Sequence, residues 1–256
     1  MLKITFLGTG TSQGVPIIGS YHPVCLSDDA KDKRLRVSIL VQWNDFSIVI
    51  DCGPDFRQQM LSCGLKKLDA IFFTHEHADH TAGLDDIRPF NYRQGDILIY
   101  GTEKVINNLS KRFNYIFSNK TKYPSAPSVN VSIINTEKVV YLFGEKIIPV
   151  NFMHNIIPVT GYRIRNFAYL TDIKSINKKE IEKLNNLDIL VISSLRIEKH
   201  PNHLNLDEAI ILIKKIKPKK AYLTHISHLM GFHKEVSKIL PENIFLAYDG
   251  LEISSK

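Results

Sequence analysis

The sequence is poor in cysteine, and it contains no apolar run long enough to span a membrane. The three cysteines, Cys25, Cys52 and Cys63, are too few and too widely spaced for a disulfide framework, so we expect a cytoplasmic protein in a reducing compartment. The N-terminus lacks the basic start, long apolar stretch and small-residue cleavage site of a secretory signal. Low-complexity linkers and repeats are also missing, which favours a single domain over residues 1–256.

The chain also has no excess of acidic residues. It carries 33 lysines and arginines against 26 aspartates and glutamates, a net charge of +7. A basic balance favours polyanionic partners such as nucleic acid or phosphorylated metabolites. The lysines are spread over polar faces and turns, however, and an ordinary solvated surface explains them equally well. The charge therefore indicates a phosphate-bearing partner only weakly, and we do not favour nucleic acid over a small substrate.

What the sequence does have is a dense cluster of histidines. Residues 75–80 read His-Glu-His-Ala-Asp-His, and they directly follow residues 70–74, a short apolar run that predicts a buried strand. Imidazole and carboxylate groups at this density are ligands for Zn, Mn or Fe rather than for Ca or Mg. The alternative is a polar loop with solvated histidines. The pattern favours a metal site.

Four more polar residues stand where a strand-like run stops. They are Asp51, His154, Asp172 and His225. Each alone has a structural explanation, since an aspartate after a strand often forms a turn. If the strand ends meet at one edge of the fold, these residues and the histidine cluster supply ligands for two metals.

The order of strand-like and helical stretches predicts the fold class. Strand-rich runs with helices between them in both halves indicate an α/β protein in which two sheets pack together and helices cover them, a four-layer αββα sandwich. We expect a helix over residues 84–92 and a strand over residues 162–165. The polar segment 114–127 contains two prolines and is expected to form a flexible loop or lid.

With these motifs, the chain resembles the metallo-β-lactamase-fold hydrolases over nearly its whole length. The pattern is HxHxDH followed by a distant His, an Asp and a His. Within that superfamily it is most similar to the PhnP-like phosphodiesterases, which are related to tRNase Z. The segments that carry the closer similarity are residues 6–16, 170–172, 200–203, 223–228 and 248–253.

The resemblance implies roles for the site residues. One metal would be held by His75, His77 and His154, the other by Asp79, His80 and His225, with Asp172 bridging both and Asp51 orienting the loop or a ligand imidazole. The metals would be Zn or Mn, with Fe as a third possibility. Asp79 would also orient the nucleophile. His203 would protonate the leaving oxygen, a role that suits an imidazole titrating near neutral pH. The structural alternative for His203 is a surface residue before a helix capped by Asn205, and His200 has a weaker claim to any role.

The same resemblance implies a structural zinc near the N-terminus, with one departure. PhnP-like proteins place a C-x-C-x-x-C run there, but this chain has Ser20 and His22 at the first two cysteine positions. His22, Cys25 and His228 remain as ligands. A structural zinc normally has four ligands, so Ser20, Asp28 or water would have to complete the site. Cys52 and Cys63 are expected to be buried apolar residues.

The function that follows is a binuclear metal-dependent phosphodiesterase. It would act on small cyclic or nucleotide-like phosphodiesters through a metal-bridging hydroxide. The alternatives are a tRNase Z-like RNA 3′-processing endonuclease, a thioesterase or lactonase on the same fold, and a metal-free binding module. Against RNA processing, the chain shows no inserted basic arm, and Leu204 and Asn205 stand where the tRNase pattern has Ser and Thr. A homodimer is usual in the family, and no membrane association is expected.

Overall fold

The structure, a computed structural model, describes residues 1–118 and 123–255. Within these residues the strands are β1 (Leu2–Gly8), β2 (Ser38–Trp43), β3 (Phe46–Ile50), β4 (Ala70–Phe72), β5 (Ile97–Gly101), β6 (Val129–Ile133), β7 (Val140–Leu142), β8 (Glu145–His154), β9 (Ile157–Ile164), β10 (Phe167–Leu170), β11 (Ile189–Ser193), β12 (Lys220–Thr224), β13 (Ile244–Leu246) and β14 (Glu252–Ser255).

Helices connect many of these strands. They are α1 (Pro23–Leu26), α2 (Phe56–Cys63), α3 (Ala78–Thr81), α4 (Arg88–Gln94), α5 (Glu103–Arg112), α6 (Asn114–Phe117), α7 (Lys178–Glu182), α8 (Leu206–Ile216) and α9 (His233–Ile239). Short 3-10 turns cover Ala30–Asp32, Leu84–Ile87 and His228–Met230. None of the helices in the described parts of the chain combines the length and the apolar character needed to cross a bilayer.

The strands form two seven-stranded sheets, ordered β14-β1-β2-β3-β4-β5-β6 and β13-β12-β11-β10-β9-β8-β7. In the first sheet β3, β4, β5 and β6 run parallel, and in the second β10, β11, β12 and β13 do the same. The remaining pairs are antiparallel. Because parallel neighbours end at the same edge of a sheet, the residues that follow β3 and β4, and those that follow β10 and β12, are gathered at sheet edges.

Three apolar clusters define the layers. One contains inward-facing side chains of both sheets, such as Ile39 and Tyr169. A second joins the first sheet to helices that include α2 and α5, through Phe56 and Leu109. The third joins the second sheet to helices that include α8, through Ile213. This helix–sheet–sheet–helix arrangement confirms the predicted αββα sandwich.

Local sequence accounts for many of the element boundaries. β11 is buried at every residue, as expected for a parallel strand covered on both faces. α2 ends at Gly64, which adopts the left-handed conformation at φ 65° that glycine tolerates best. The hairpin between β8 and β9 turns through Asn155, also left-handed at φ 54°.

Some predicted boundaries are wrong. The strand expected over residues 162–165 begins five residues earlier, at Ile157, because β9 pairs along β8 as far as His154. The helix expected over residues 84–92 is a 3-10 turn followed by α4. Pro89 lies in the first turn of α4, where a backbone N–H would have no partner within the helix, so the proline costs no hydrogen bond. The expected loop over residues 114–127 starts with the helix α6, and its residues 119–122 lie outside the described residues.

Candidate metal centre

Three of the strand-end residues share an unusual backbone conformation. Asp51, Asp172 and His225 have φ values of 66°, 58° and 56°, in the left-handed region. Side chains other than glycine rarely adopt it, and each case costs on the order of 1–3 kcal/mol. These residues follow β3 in the first sheet and β10 and β12 in the second. The same strained turn at three converging strand ends is typical of a functional site.

The ligand atoms lie close together. His75 Nε2 is 3.0 Å from His77 Nδ1. Asp172 Oδ2 is 3.1 Å from His80 Nε2, and Asp172 Oδ1 is 3.1 Å from His225 Nε2. The two oxygens of Asp172 therefore face two different imidazoles, as a carboxylate shared between two cations would.

The wider cluster divides into overlapping groups of possible ligands. Within each group the ligand atoms lie within 4.8 Å of one another, and the groups are His75, His80 and Asp172; Asp79, His80 and His225; and His154, Asp172 and His203. His77 joins them through His75 and through its ring, whose centroid is 5.5 Å from that of His154. The structure thus brings together all seven residues that were predicted as ligands.

Among the residues that the structure describes, several of these nitrogen atoms are buried without a hydrogen-bond partner. They are His80 Nε2, His203 Nδ1 and both ring nitrogens of His225. The neighbouring carboxylate oxygens are close, but they lie off the line that a ring N–H would need. Leaving a buried polar atom unsatisfied costs about 1–3 kcal/mol, and a shared cation would satisfy several lone pairs at once. The nitrogen and oxygen donors fit divalent metals.

Asp51 holds two of the imidazoles in one tautomer. It is fully buried, its Oδ2 accepts from His80 Nδ1 at 2.6 Å, and its carboxylate accepts from both the N–H and the hydroxyl of Thr74 at 2.8 Å. Because the Thr74 hydroxyl donates to Asp51, its oxygen can accept from His75 Nδ1, 3.0 Å away. His75 and His80 therefore both present Nε2 lone pairs to the centre. Sequence analysis did not identify Thr74, although a hydroxyl directly before the first histidine was a usable signal.

Opposing charges shift the pKa values of the buried groups. Burial opposes protonation of His80, but the carboxylates of Asp79, Asp51 and Asp172 raise its pKa well above the ordinary value. Burial likewise opposes ionisation of Asp172, yet His225 and His80 hold its pKa well below the usual range. The carboxylates around His80 therefore favour positive charge at this position, which a bound metal would supply.

The segment that carries His203 is tied to the metal ligands. His154 Nδ1 donates to the carbonyl of Asn202 at 2.8 Å, and His203 Nδ1 lies 3.7 Å from Asp172 Oδ1. The next helix, α8, is capped by Asn205, as expected. Burial, followed by the neighbouring His225, lowers the pKa of His203 to about 3. The expectation of an imidazole titrating near neutral pH therefore does not hold for the free site, because desolvation outweighs the attraction of Asp172.

Lys174 is a further residue that the sequence did not reveal. Its Nζ donates to the carbonyls of His200 and His203 at 2.9 and 3.2 Å, and it pairs with Glu208 at 3.0 Å. Lys174 follows Asp172 by two residues, so it connects the strand end that carries Asp172 to the segment that carries His203.

Two glycines allow the histidine loop to pack closely. A Cβ atom on Gly53 would lie 2.1 Å from the carbonyl oxygen of Asp79, and one on Gly83 would lie 2.1 Å from that of Gly53. The glycine-rich N-terminal loop also reaches the site, because the N–H of Ile226, next to His225, donates to the carbonyl of Thr9 at 2.9 Å.

The residues of the expected structural zinc site are only partly assembled. The rings of His22 and His228 are 4.8 Å apart, and His228 Nδ1 is buried with no hydrogen-bond partner in the described part of the chain. His22 Nδ1 accepts from the N–H of Val24, and Cys25 lies in a small apolar cluster with Val24. In the residues that the structure describes, these side chains do not form a group of three with ligand atoms in metal-binding range. Cys52 is buried, as predicted, whereas Cys63 is only partly buried.

Residues 47–226 match the family described as Beta-lactamase superfamily domain. A crystal structure described as a new diphosphatase from the PhnP family superposes with a TM-score of 0.93, is 41% identical and covers 100% of this chain and 98% of that chain. The chain belongs to the PhnP family of the beta-lactamase superfamily. This confirms the resemblance to the metallo-β-lactamase-fold hydrolases that the sequence motifs indicated.

Two curated relatives carry other names. An octanoyltransferase from Porphyromonas gingivalis is 39% identical over 98% of this chain and 51% of its own length. A ribonuclease Z from Thermoplasma volcanium is 26% identical over 64% of this chain and 48% of its own length. The PhnP-family chain therefore aligns with about half the length of each, and the name octanoyltransferase belongs to a protein of which about half has no counterpart here.

Proposed function

We propose that this PhnP-family hydrolase is a two-metal phosphohydrolase that cleaves a phosphodiester or diphosphate bond of a small substrate. The observation that carries the proposal is the position of Asp172, whose two oxygens each lie 3.1 Å from a different imidazole. Beside it are ring nitrogens that have no hydrogen-bond partner among the described residues. Relatives named diphosphatase and ribonuclease Z support hydrolysis at phosphorus.

The chain's own residues have separable roles in this proposal. His75, His77 and His154 would hold one metal, and Asp79, His80 and His225 the other, with Asp172 shared between them. Two divalent ions held there would supply an activated water and neutralise the charge of a bound phosphate. Zn and Mn both match this mixed nitrogen and oxygen donor set. Asp51 keeps His80 in the ligating tautomer.

His203 is proposed as the proton donor to the leaving oxygen. It is neutral in the free site because its pKa is lowered to about 3. A bound phosphate brings negative charge beside the ring, which raises the pKa and favours the protonated form. Asp79 is partly exposed, so it can orient the attacking water as well as bind metal.

The test combines metal analysis with hydrolysis of bis-p-nitrophenyl phosphate and of ADP. We expect purified protein to bind two divalent ions and Asp172→Ala to lose metal and almost all activity. His203→Ala should keep both ions and lose about 10²–10⁴-fold in rate, the usual contribution of a general acid. Normal activity in Asp172→Ala would contradict the two-metal site, and metal loss in His203→Ala would make His203 a ligand instead.

Two related proposals use the same preparation. Cleavage of a pre-tRNA at its 3′ trailer, at a rate above that of the small esters, would replace the small substrate with RNA. A third metal equivalent that disappears in His228→Ala would support a structural zinc near His22. Two equivalents in both proteins would contradict it.

A further inference from the structure

A cavity of about 270 Å³ lies between α9, β12 and β13, and none of the proposed metal ligands lines it. Its size is slightly below the usual range of small-molecule sites, so it suits one or two fused rings rather than an extended molecule. The cavity is separate from the metal centre. What it binds is therefore independent of the proposed phosphohydrolase activity.

Four of the side chains that line the cavity carry rings. Tyr222 and Phe245 are register partners on β12 and β13, and their rings stack with centroids 5.3 Å apart. Tyr248 and His233 meet edge to face, with centroids 5.7 Å apart. Phe245 is 41% exposed although it is a large apolar side chain. Aromatic rings pack well against the faces and edges of other rings, so these walls favour a planar aromatic ligand.

The imidazole of His233 offers a hydrogen-bond donor to the cavity. Its Nδ1 lies 3.2 Å from Arg34 Nη2. Because a guanidinium can only donate hydrogen bonds, Nδ1 must be the acceptor, and the ring proton is therefore on Nε2. His233 is 8% exposed, and its Nε2 makes no hydrogen bond to any residue that the structure describes. The ring thus presents an unpaired N–H where it lines the cavity.

Buried partners fix the position of this donor. Arg34 Nη1 donates to the hydroxyl of Thr9 at 2.7 Å and to the carbonyl of Ala247 at 2.6 Å, which holds the guanidinium in one orientation. The backbone N–H of His233 donates to Asp32 Oδ1 at 2.7 Å. The imidazole is therefore held from both its ring and its backbone before any ligand arrives, which lowers the entropic cost of binding.

The charges around the cavity indicate an uncharged ligand. Among the described residues, no carboxylate, ammonium or guanidinium group lines it. Arg34 lies directly behind the imidazole and would repel a cation. An anion would find no ion-pair partner on the walls, and Lys31, outside them, has its Nζ over the ring of Tyr248 at 4.4 Å. Because a buried charge without a partner is costly, a neutral molecule with an acceptor atom for His233 fits best.

We propose that this cavity binds an uncharged, planar heteroaromatic molecule whose ring nitrogen accepts a hydrogen bond from His233 Nε2, as a nucleobase could. The rings of Phe245 and Tyr248 contact its apolar surface. This binding site is distinct from the metal centre.

The test compares indole with benzimidazole, two molecules of the same shape that are uncharged at neutral pH. They differ in one ring atom, a CH group that an acceptor nitrogen replaces. Titration of the isotopically labelled protein, followed by NMR, gives the Kd of each probe and the residues that respond. Benzimidazole should bind about three- to tenfold more tightly than indole, the effect of one neutral hydrogen bond. The amide signals that move should be those of α9 and β13.

Two variants separate the aromatic wall from the donor. Phe245→Ala removes an exposed ring and should weaken both probes by about three- to tenfold. His233→Asn keeps an acceptor for Arg34 near the position of Nδ1 but has no atom at the position of Nε2, so it should bind both probes equally. Phe232→Ala is the matched control, because it removes a ring of similar exposure, 38%, from outside the cavity. It should bind both probes as the unmodified protein does.

Equal affinities of the two probes for the unmodified protein would overturn the proposal, as would a preference for benzimidazole that persists in His233→Asn. Unchanged binding in Phe245→Ala would do the same, and this variant decides the matter if His233→Asn does not fold. Signals that move only around residues 75–80 would place benzimidazole at the metals and would also overturn it. Absence of measurable binding by both probes is a further contradicting result.

Discussion

The most direct perturbation of the site is Asp51→Asn, which preserves shape and changes only the charge and one acceptor. The two oxygens of Asp51 accept from His80 Nδ1 at 2.6 Å and from the N–H and hydroxyl of Thr74 at 2.8 Å. An asparagine has one acceptor oxygen and an NH₂ group, so in either orientation one of these donors faces another donor. With the NH₂ toward His80, His80 and, through the Thr74 hydroxyl, His75 lose the acceptor that holds their tautomers. With the NH₂ toward the Thr74 N–H, two donors face each other directly before His75.

Loss of such a partner weakens metal affinity by about 10- to 100-fold, which corresponds to about 1.4–2.7 kcal/mol. Competition against a chelator of known affinity measures the change, with Zn²⁺ and Mn²⁺ titrated separately. Asp69→Asn provides the control. Asp69 also accepts a hydrogen bond from a backbone N–H, that of Ser47 at 2.9 Å, but it stands at the start of β4, whereas the histidine loop follows the end of that strand.

We expect Asp69→Asn to bind metal as the unmodified protein does. Equal affinities for Asp51→Asn and the unmodified protein would refute the argument that Asp51 orients the ligands. A loss of equal size in both variants would assign the effect to general destabilisation instead.

Three further predictions concern residues outside the proposed ligand set. Lys174→Met should lower kcat about tenfold with both metals retained, because the carbonyl of His203 loses the hydrogen bond from Lys174, and Lys174→Arg should recover part of that loss. Steady-state kinetics and metal analysis measure these effects. A change in KM alone would contradict this role of Lys174. Burial followed by nearby cations lowers the pKa of His233 to about 4, so its stabilising effect is present above pH 6.5 and is lost as the pH falls through 4. The unfolding free energy should fall by about 1–2 kcal/mol between pH 6.5 and pH 4. Denaturant titrations should show a smaller fall in His233→Gln, and equal falls in the two proteins would exclude His233 as the cause. Gly83→Ala should cost about 1–3 kcal/mol of stability through overpacking against the Gly53 carbonyl, and an unchanged denaturant midpoint would contradict the close approach.

The candidate ligands could be nominated from the sequence because they stand in local patterns. An apolar run that stops at Asp51 or at His225 predicts the end of a strand. The side chain at that end, a carboxylate or an imidazole, is a possible metal ligand. The HxHxDH spacing has the same local character. These signals, with the alternation of strands and helices, were enough to predict the layered fold and to nominate as ligands the seven residues that the structure brings together.

Other features depend on which strands and loops become neighbours. The hydroxyl of Thr74 matters because β3 lies beside β4, which brings Asp51 to it. The role of Lys174 depends on the return of residues 200–203 to the end of β10. The pKa of His203 is set by desolvation, which no local pattern encodes.

The sequence by itself determined the chemical type of each donor and its position at the end of a strand, because both are local properties of the chain. Only the tertiary structure decided the distances between donors and their burial, because these arise from the packing of two sheets against each other. The N-terminal segment illustrates the difference. Its sequence offers His22 and Cys25 as ligands, yet packing places Cys25 in an apolar cluster and leaves His22 beside His228.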